Sequence, residues 1–268
     1  MSVDIETLFD VFRRFVGRST MLSHEFGDLF RQMMRSLVKF DHVVMFAYRG
    51  NERPIDLYST FDPAEQVIFV NLYQMGPYLL DPFYHNAREA RSGIWRMREL
   101  APDRFFSSEY YRTYYVQTGL AEEIGFFVPI AQDLTIVLSL MRREETGPFA
   151  TQDLSLLRKA EPLIARLVKH YYQDIGLLFD AAVAKQRKGR RKDKLNAADT
   201  VWRDLNLTDR EAAIIELVLQ GHSSESIGLR LSITMGTVKV HRRNVYRKLG
   251  ISSQTQLLSI YLKKLGEH

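Results

Sequence analysis

Apolar positions near the start of the chain recur at helical spacing. In residues 4–17, Ile5, Leu8, Phe9, Phe12, Phe15 and Val16 fall mostly three and four apart, and Phe26, Leu29, Phe30, Met33, Leu37 and Val38 repeat the pattern over 23–39. Two amphipathic helices are predicted. The period then changes. His42–Tyr48 is a run of β-branched and aromatic residues, and Ile55–Ser59 is positioned to pair with it across the turn containing Gly50. A helix is expected over 63–73, followed by a helical and loop-rich middle. Residues 123–130 and 134–142 read as two central strands joined by Ala131-Gln132-Asp133, a connection short enough for a hairpin. From Thr151 a long helix is predicted, with Thr151 or Gln152 near its cap, Asp153 in its first turn and Pro162 as a kink. Its apolar stripe, Leu154, Leu157, Ile164, Leu167, Val168, Tyr171, Ile175 and Leu178, is wider than one sheet face needs.

The last part of the chain reads as short helices punctuated by caps. Thr208 with Glu211 three residues on is a capping box, and Gly221 stops the helix that follows. Ser223 or Ser224 caps a second helix over 226–231. Ser232-Ile233-Thr234 turns the chain into a third over 235–249, stopped by Gly250, and Ser252 or Ser253 caps a fourth over 255–265. Two short helices around a tight turn form a helix-turn-helix, whose second helix enters the major groove of DNA. The predicted fold class is therefore α+β. An N-terminal α/β/α sandwich, an antiparallel sheet with flanking helices in the manner of a GAF or PAS domain, is followed by an all-α four-helix helix-turn-helix domain. The expected boundaries are 1–184 for a ligand-sensing and dimerisation domain, 185–203 for a linker and 204–268 for the DNA-binding domain.

Charge sharpens this division. The 268 residues carry 37 Lys+Arg and 32 Asp+Glu, a formal net charge of +5. Through Lys185 the balance is 21 basic to 24 acidic, and beyond it 16 basic to 8 acidic. A net of −3 thus precedes a net of +8. All 16 Phe and 11 of the 13 Tyr lie in the acidic part. A basic module with few aromatics favours contacts with the phosphate backbone over base stacking, so duplex DNA over a single strand. Residues 185–194, KQRKGRRKDK, are almost wholly basic with no apolar side chain, and read as a solvated linker. With no cysteine, the sequence excludes disulfides, thiolate metal sites and cysteine nucleophiles. The opening MSVDIETLFD lacks the basic and apolar regions of a secretory signal, and a cytoplasmic location is expected. The seven His show no metal-ligand spacing, and no phosphate loop or nucleophile motif occurs. No cofactor, metal, catalytic residue or enzymatic activity is expected.

The stretch LTDRE, followed by GHSSESIGLRLSITMGTVKVHRRNVYRKLGISSQTQ, closely resembles the four-helix DNA-binding domain of the LuxR (FixJ/NarL-type) family of bacterial transcription regulators. The resemblance implies that Lys239, Val240 and Arg243 meet base edges. It also implies that Ser223, Ser224, Thr237, Arg242, Arg247 and Lys248 hold the DNA backbone. Ser224-Glu225 departs from the family's usual Asn-Lys and loses one lysine contact to phosphate.

Three kinds of input domain precede this module in the family. A phosphorylated receiver is excluded, because neither HVVMFAY nor EIGFFVPI ends in a candidate phosphoryl-accepting Asp. The middle of the chain instead resembles the autoinducer-binding fold of the quorum-sensing branch. Asp81-Pro82 opens a helix, Trp95 follows fourteen residues later, and GLAEEIGFFVPI leads into the closing strands. Phe69 stands where that branch usually has Trp, four residues before Tyr73, and has no N–H to donate to a lactone. Between Tyr58 and Phe127 lie 16 aromatics, seven Phe and eight Tyr among them. An apolar cavity with a few placed polar groups is the usual way to hold a small ligand. The candidate ligand-binding residues are Tyr58, Phe69, Tyr73, Asp81, Trp95, Phe106, Tyr111 and Tyr115. Asp81 is suited to accept from an amide, amine or hydroxyl, or equally to cap the helix at Pro82.

These features predict a ligand-responsive transcription regulator that reads double-stranded DNA as a homodimer. A small-molecule effector is a second partner and RNA polymerase a further candidate; no membrane is expected. The alternative is a constitutive DNA-binding factor whose first domain only dimerises or binds a protein.

Overall fold

The structure is a computed structural model and describes residues 3–181, 201–202 and 204–266. The expected linker 185–203 lies outside these except for 201–202. The chain forms two compact units. One is drawn from Met1–Val70, Asn86–Glu99 and Leu120–Lys192, the other from Asn71–His85, Leu100–Gly119 and Asp193–His268.

The first unit is built on an antiparallel sheet of order β2-β1-β5-β4-β3. Its strands are β1 (His42–Arg49), β2 (Ile55–Ser59), β3 (Gly93–Arg96), β4 (Leu120–Ala131) and β5 (Leu134–Arg143). The β4–β5 hairpin forms as expected, although β4 begins earlier than the apolar run alone indicates. β3 was not expected: four residues are too few to show a period of two, and its partner β4 is distant in sequence. One face of the sheet carries Val43, Met45 and Ala47 of β1, Ile124, Phe126 and Val128 of β4, and Ile136, Leu138 and Leu140 of β5. That face packs with α1 (Ile5–Val16), α2 (Ser23–Leu37) and α6 (Thr151–Tyr171) into one core. Burial of this face is the main source of the unit's stability. Phe26 anchors it, with ring centroids of Phe15 and Tyr172 at 5.5 and 5.1 Å.

Local chemistry sets the ends of these helices. Asp4 caps α1, its Oδ1 accepting from Thr7 N at 3.1 Å. At the start of α6, Asp153 Oδ2 accepts from Ala150 N at 3.0 Å and from Arg142 Nη2 at 2.8 Å. One carboxylate therefore closes the helix and fixes it to β5. α6 continues through Pro162 and closes at Tyr172, whose N–H donates to Val168 O. The predicted helix over 63–73 becomes α3 (Pro63–Gln66) and a wide π-type turn over Val67–Leu72. Four consecutive bulky residues, Val67–Val70, cannot share one stripe; the turn buries Val70 and leaves Val67 and Ile68 exposed. The chain then enters α4 (Pro82–Arg88), and after β3 passes through α5 (Met97–Leu100).

The second unit contains α7 (Asp209–Leu219), α8 (Ser224–Leu231), α9 (Met235–Leu249) and α10 (Gln254–Gly266). The caps read from sequence at Thr208, Ser223 and Ser253 are in place, and Thr234 is a further one. Thr208 Oγ1 accepts from Glu211 N, while Glu211 Oε2 accepts from Thr208 N at 3.0 Å. Ser223, Thr234 and Ser253 cap the next three helices through bonds from Ser226, Thr237 and Gln256 N at 3.1, 3.1 and 3.2 Å. Ile214, Val218, Ile227, Val238, Val245 and Leu257 form the core, and Trp202 stacks on Tyr261 at 4.9 Å.

The turn between α8 and α9 is tight. Ser232 adopts a left-handed conformation (φ 54°), and Gly228 lies beneath the chain that follows. A Cβ at Gly228 would come within 2.7 Å of Ile233 O, whereas one at Gly236 would meet only Thr234 Oγ1 at 3.6 Å. Gly228→Ala is accordingly expected to destabilise this unit by about 1–3 kcal/mol. Gly236→Ala should stabilise it by up to about 1 kcal/mol through helix propensity. Urea unfolding followed by Trp202 fluorescence measures both, and equal effects from the two would contradict the close approach.

Candidate functional site

α9 projects the residues expected to read bases. Val238 and Val245 are buried, which turns Lys239, Val240 and Arg243 outward. Lys239 and Arg243, four apart, share one helical face with Val240 beside them. The expected backbone contacts differ in how free they are. Ser223 Oγ is committed as the cap of α8. Arg242 is half-buried, its Nη1 donating to Ser224 Oγ at 3.4 Å. Thr237 Oγ1 pairs with Thr234 Oγ1 at 2.9 Å, and Arg247 donates to Asn244 Oδ1 at 3.0 Å.

Lys248 has a structural partner that the sequence did not reveal. Its Nζ lies 2.6 Å from Oε2 of Glu211, a buried carboxylate on α7. Burial works against ionising Glu211, but the bonds from Lys248 and Thr208 outweigh it and hold the carboxyl below its ordinary value. The same pair therefore ties the start of α7 to the end of α9. Arg210 adds a bond to Leu231 O at 2.7 Å, and Gln254 one to Val218 O at 3.0 Å.

His222, between α7 and α8, is buried with Nδ1 3.0 Å from Ser226 Oγ. Burial, reinforced by Arg230 and opposed by Asp103, pushes its pKa down to about 4. It is neutral at pH 7 and acts in packing.

Among the ligand candidates, Tyr73 and Asp81 meet directly. Asp81 is buried; its Oδ2 accepts from Tyr73 Oη at 2.7 Å and its Oδ1 from Phe83 N at 2.8 Å. It thus caps the start of α4 as well. Burial raises its pKa to about 6, with both hydrogen bonds pulling the other way. Tyr78 lies edge-on to both Tyr73 and Tyr84, at 6.2 and 5.0 Å. Phe106, Tyr111 and Tyr115 gather around the buried Phe105: Tyr111 stacks on Tyr115 at 5.5 Å and meets Phe106 at 5.1 Å.

The other candidates lie in the sheet unit. Tyr58 is on the α2 side, its ring against Gly27 and its hydroxyl donating to Asp28 Oδ1 at 2.9 Å. Phe69 stacks on Phe61 at 4.5 Å. Trp95 donates from Nε1 to Ser92 O at 2.9 Å and carries the Arg91 guanidinium 4.8 Å over its ring. It pairs in register with Gly125, which pairs with Ser139, which pairs with Val44. This row lies on the sheet face away from the helices and holds two very small residues between Trp95 and Val44.

Residues 205–261 match the luxR family of bacterial regulatory proteins. The chain is 30% identical over 186 residues to an HTH-type transcriptional regulator of Aeromonas salmonicida, an alignment covering 69% of this chain and 94% of the relative. It is also 22% identical to the monoamine regulon transcriptional regulator of Klebsiella aerogenes over 85% of this chain and 86% of that one. Among solved structures, the LBD domain of VqsR from Pseudomonas aeruginosa has a similar fold, with a TM-score of 0.51 and 23% identity over 62% of this chain and 93% of that one. The chain belongs to the LuxR family and is a DNA-binding transcription regulator, and its N-terminal part shares the fold of the VqsR LBD domain. Among the described residues, no helix is long and apolar enough to cross a membrane, and no cluster of three or more His, Asp or Glu could hold a metal.

The depressed pKa of His222 fixes the direction of one pH effect. The unfolded chain takes up a proton near pH 6.5 and the folded chain only near pH 4. Stability is therefore present above pH 6.5 and lost as pH falls through that window. His222→Gln should flatten this loss in urea titrations followed by Trp202 fluorescence. An unchanged pH profile would contradict a buried, neutral imidazole.

Proposed function

We propose that the chain is an effector-responsive regulator, in which a small molecule bound by the N-terminal part modulates sequence-specific binding of a homodimer to the major groove. Residues 1–184 sense and dimerise, 185–203 link, and 204–268 read DNA; no catalytic role is assigned. The observation that carries the effector reading is the buried Asp81 carboxylate. An isolated buried charge is costly, and its two partners leave lone pairs for a further donor. Tyr73 and Asp81 are therefore the polar anchor, with aromatic rings beside them for an apolar body. An amine, amide or hydroxyl suits the anchor, and the similarity to a monoamine regulon regulator supports an amine.

An effector that donates to Asp81 favours its ionised form. Asp81 with a raised pKa stabilises the apo protein below the ordinary carboxyl range and loses that contribution as pH rises through about 6. A primary aromatic amine at about 100 times its dissociation constant should add about 2.7 kcal/mol. The gain should be greater above pH 6 than below, and absent in Asp81→Ala. A panel of amines, amides and acyl lactones that leaves the melting temperature unchanged would favour constitutive DNA binding instead.

Dimerisation is supported by the first unit. A groove of about 730 Å³ runs between α1 and α6, lined by Phe12, Val16, Pro162, Leu163, Leu167 and Tyr171. Val16 is 82% exposed. A second copy would cover these apolar groups, and two modules would then read half-sites about one helical turn apart.

For DNA, Lys239, Val240 and Arg243 are assigned to bases. Ser223, Ser224, Thr237, Arg242, Arg247 and Lys248 are assigned to the backbone. Arg243→Ala should cost about 1–3 kcal/mol on the preferred site and relax its sequence preference, whereas Arg247→Ala should weaken all duplexes alike. Competition binding of selected against random duplexes separates the roles, and identical losses on both from both variants would overturn them.

A further inference from the structure

A cleft of about 420 Å³ opens beside the turn before α8. One wall is the segment around Arg104 and Ser107. The other is formed by Ser224 and Glu225 of α8 and by Lys239 and Arg242 of α9. All of these residues belong to the second compact unit. Main-chain contacts hold the walls in place. Arg104 N donates to Gly221 O at 2.9 Å, and a Cβ on Gly221 (φ +94°) would come within 2.6 Å of Phe105 Cα. Phe105 is fully buried.

Three cations, Arg104, Lys239 and Arg242, line this small volume against a single acid, Glu225. His222 beside them is neutral at pH 7. Asp103 does not line the cleft; its Oδ1 accepts from Ser223 N at 3.0 Å. Elsewhere in the unit a cation is matched by a carboxylate, as Lys248 is by Glu211. Among the described residues, the three cations of the cleft form no ion pair. Arg242 Nη1 reaches Ser224 Oγ at a long 3.4 Å, which leaves that hydroxyl's own proton to donate. Like charges gathered in one cleft repel each other, and the cleft focuses their potential on whatever enters it.

We propose that this cleft is a binding site for a small organic phosphate, a monoester of metabolite size, separate from the Asp81 anchor. A phosphate dianion has acceptor oxygens for both guanidinium groups, the ammonium and the Ser224 hydroxyl, and charge-assisted bonds of this kind are the strong ones. The volume lies in the range of small-ligand sites and leaves room for an organic body beside the phosphate. A DNA phosphate has the same chemistry but is a link in a continuous backbone. A free phosphate accepts from the Arg104 wall and the α9 wall at once. Occupancy withdraws Lys239 and Arg242 from the duplex; that consequence rests on their assignment to DNA, whereas the site itself does not.

Calorimetry on the full-length chain with glucose 6-phosphate tests the site, with glucose as the uncharged control and ionic strength held constant with potassium chloride. The sugar phosphate should bind saturably and glucose should not. Arg104 is exposed and keeps its main-chain bond to Gly221 whatever its side chain, so Arg104→Gln leaves the fold intact. It should weaken binding about tenfold or more, and Lys239→Gln should do the same. Arg243→Gln removes a cation of α9 that does not line the cleft and should leave the affinity unchanged. Equal losses from Arg104→Gln and Arg243→Gln would reduce the effect to general charge and overturn the site. Absence of saturable binding, or an unchanged affinity in Arg104→Gln, would overturn it also. In duplex binding, saturating glucose 6-phosphate should weaken the wild type about fivefold and spare Arg104→Gln. If no free phosphate binds and Arg104→Gln costs as much duplex affinity as Lys239→Gln, the cleft serves the DNA backbone and the proposal fails. A chain that binds the sugar phosphate but no duplex loses its DNA assignments and the competition, and the site stands.

Discussion

The sheet unit depends on a strand buried on both faces. β5 lies between β1 and β4, and every residue from Leu134 to Arg142 is buried. A strand in that position needs cover above and below, and its alternate side chains serve two different environments. Ile136, Leu138 and Leu140 meet α1, α2 and α6; Thr135, Val137 and Ser139 face the other way. The first set is uniformly apolar and interlocks with phenylalanines. The second mixes small and polar groups, with Thr135 Oγ1 donating to Ala87 O at 2.9 Å and Ser139 opposite Gly125. The helix-covered face is uniformly aliphatic and aromatic, whereas the opposite face sets Thr135, Ser139 and Gly125 among buried Phe46, Tyr48, Phe127 and Val137.

In the helical unit the equivalent constraint is geometric. α9 presents its outward residues correctly only if its angle to α7 and α8 is held. Gly228 brings the two short helices close, Ser232 bends the chain between them, and Glu211 fastens both ends of the arrangement through Thr208 and Lys248. Gly228, Ser232, Thr208 and Glu211 need not touch DNA, and each helps set what α9 can touch.

The sequence revealed those features whose causes are local. Helix starts at Thr208, Ser223 and Ser253 were legible because a capping hydroxyl acts within three residues. The two N-terminal helices were legible because one stripe faces one core. β5 was legible as a strand, but its apolar run hid which residues face which layer. β3 was hidden because its pairing with β4 spans the stretch from Trp95 to Gly125. Long-range polar contacts left no trace. Lys248 looks like any cation on a DNA-reading helix until Glu211, 37 residues earlier, is placed beside it. Asp103 and Ser223 are 120 residues apart. Asp81 was legible as a candidate because Asp-Pro at a helix start is a local signal, while its burial and its bond to Tyr73 are tertiary facts.

The bond between Lys248 and Glu211 also changes how the basic charge of the C-terminal part translates into binding. Each protein cation that neutralises a phosphate frees ions condensed on the duplex, and that release sets how steeply affinity falls with added salt. Lys248 already has a fixed anion 2.6 Å away. Glu211 already offsets part of its charge, so a phosphate contact by Lys248 would contribute less than a full unit to the slope. Exposed Lys239, Arg243 and Arg247 carry no such debt to a buried carboxylate. The ionic-strength dependence of this regulator therefore counts fewer cations than its sequence contains.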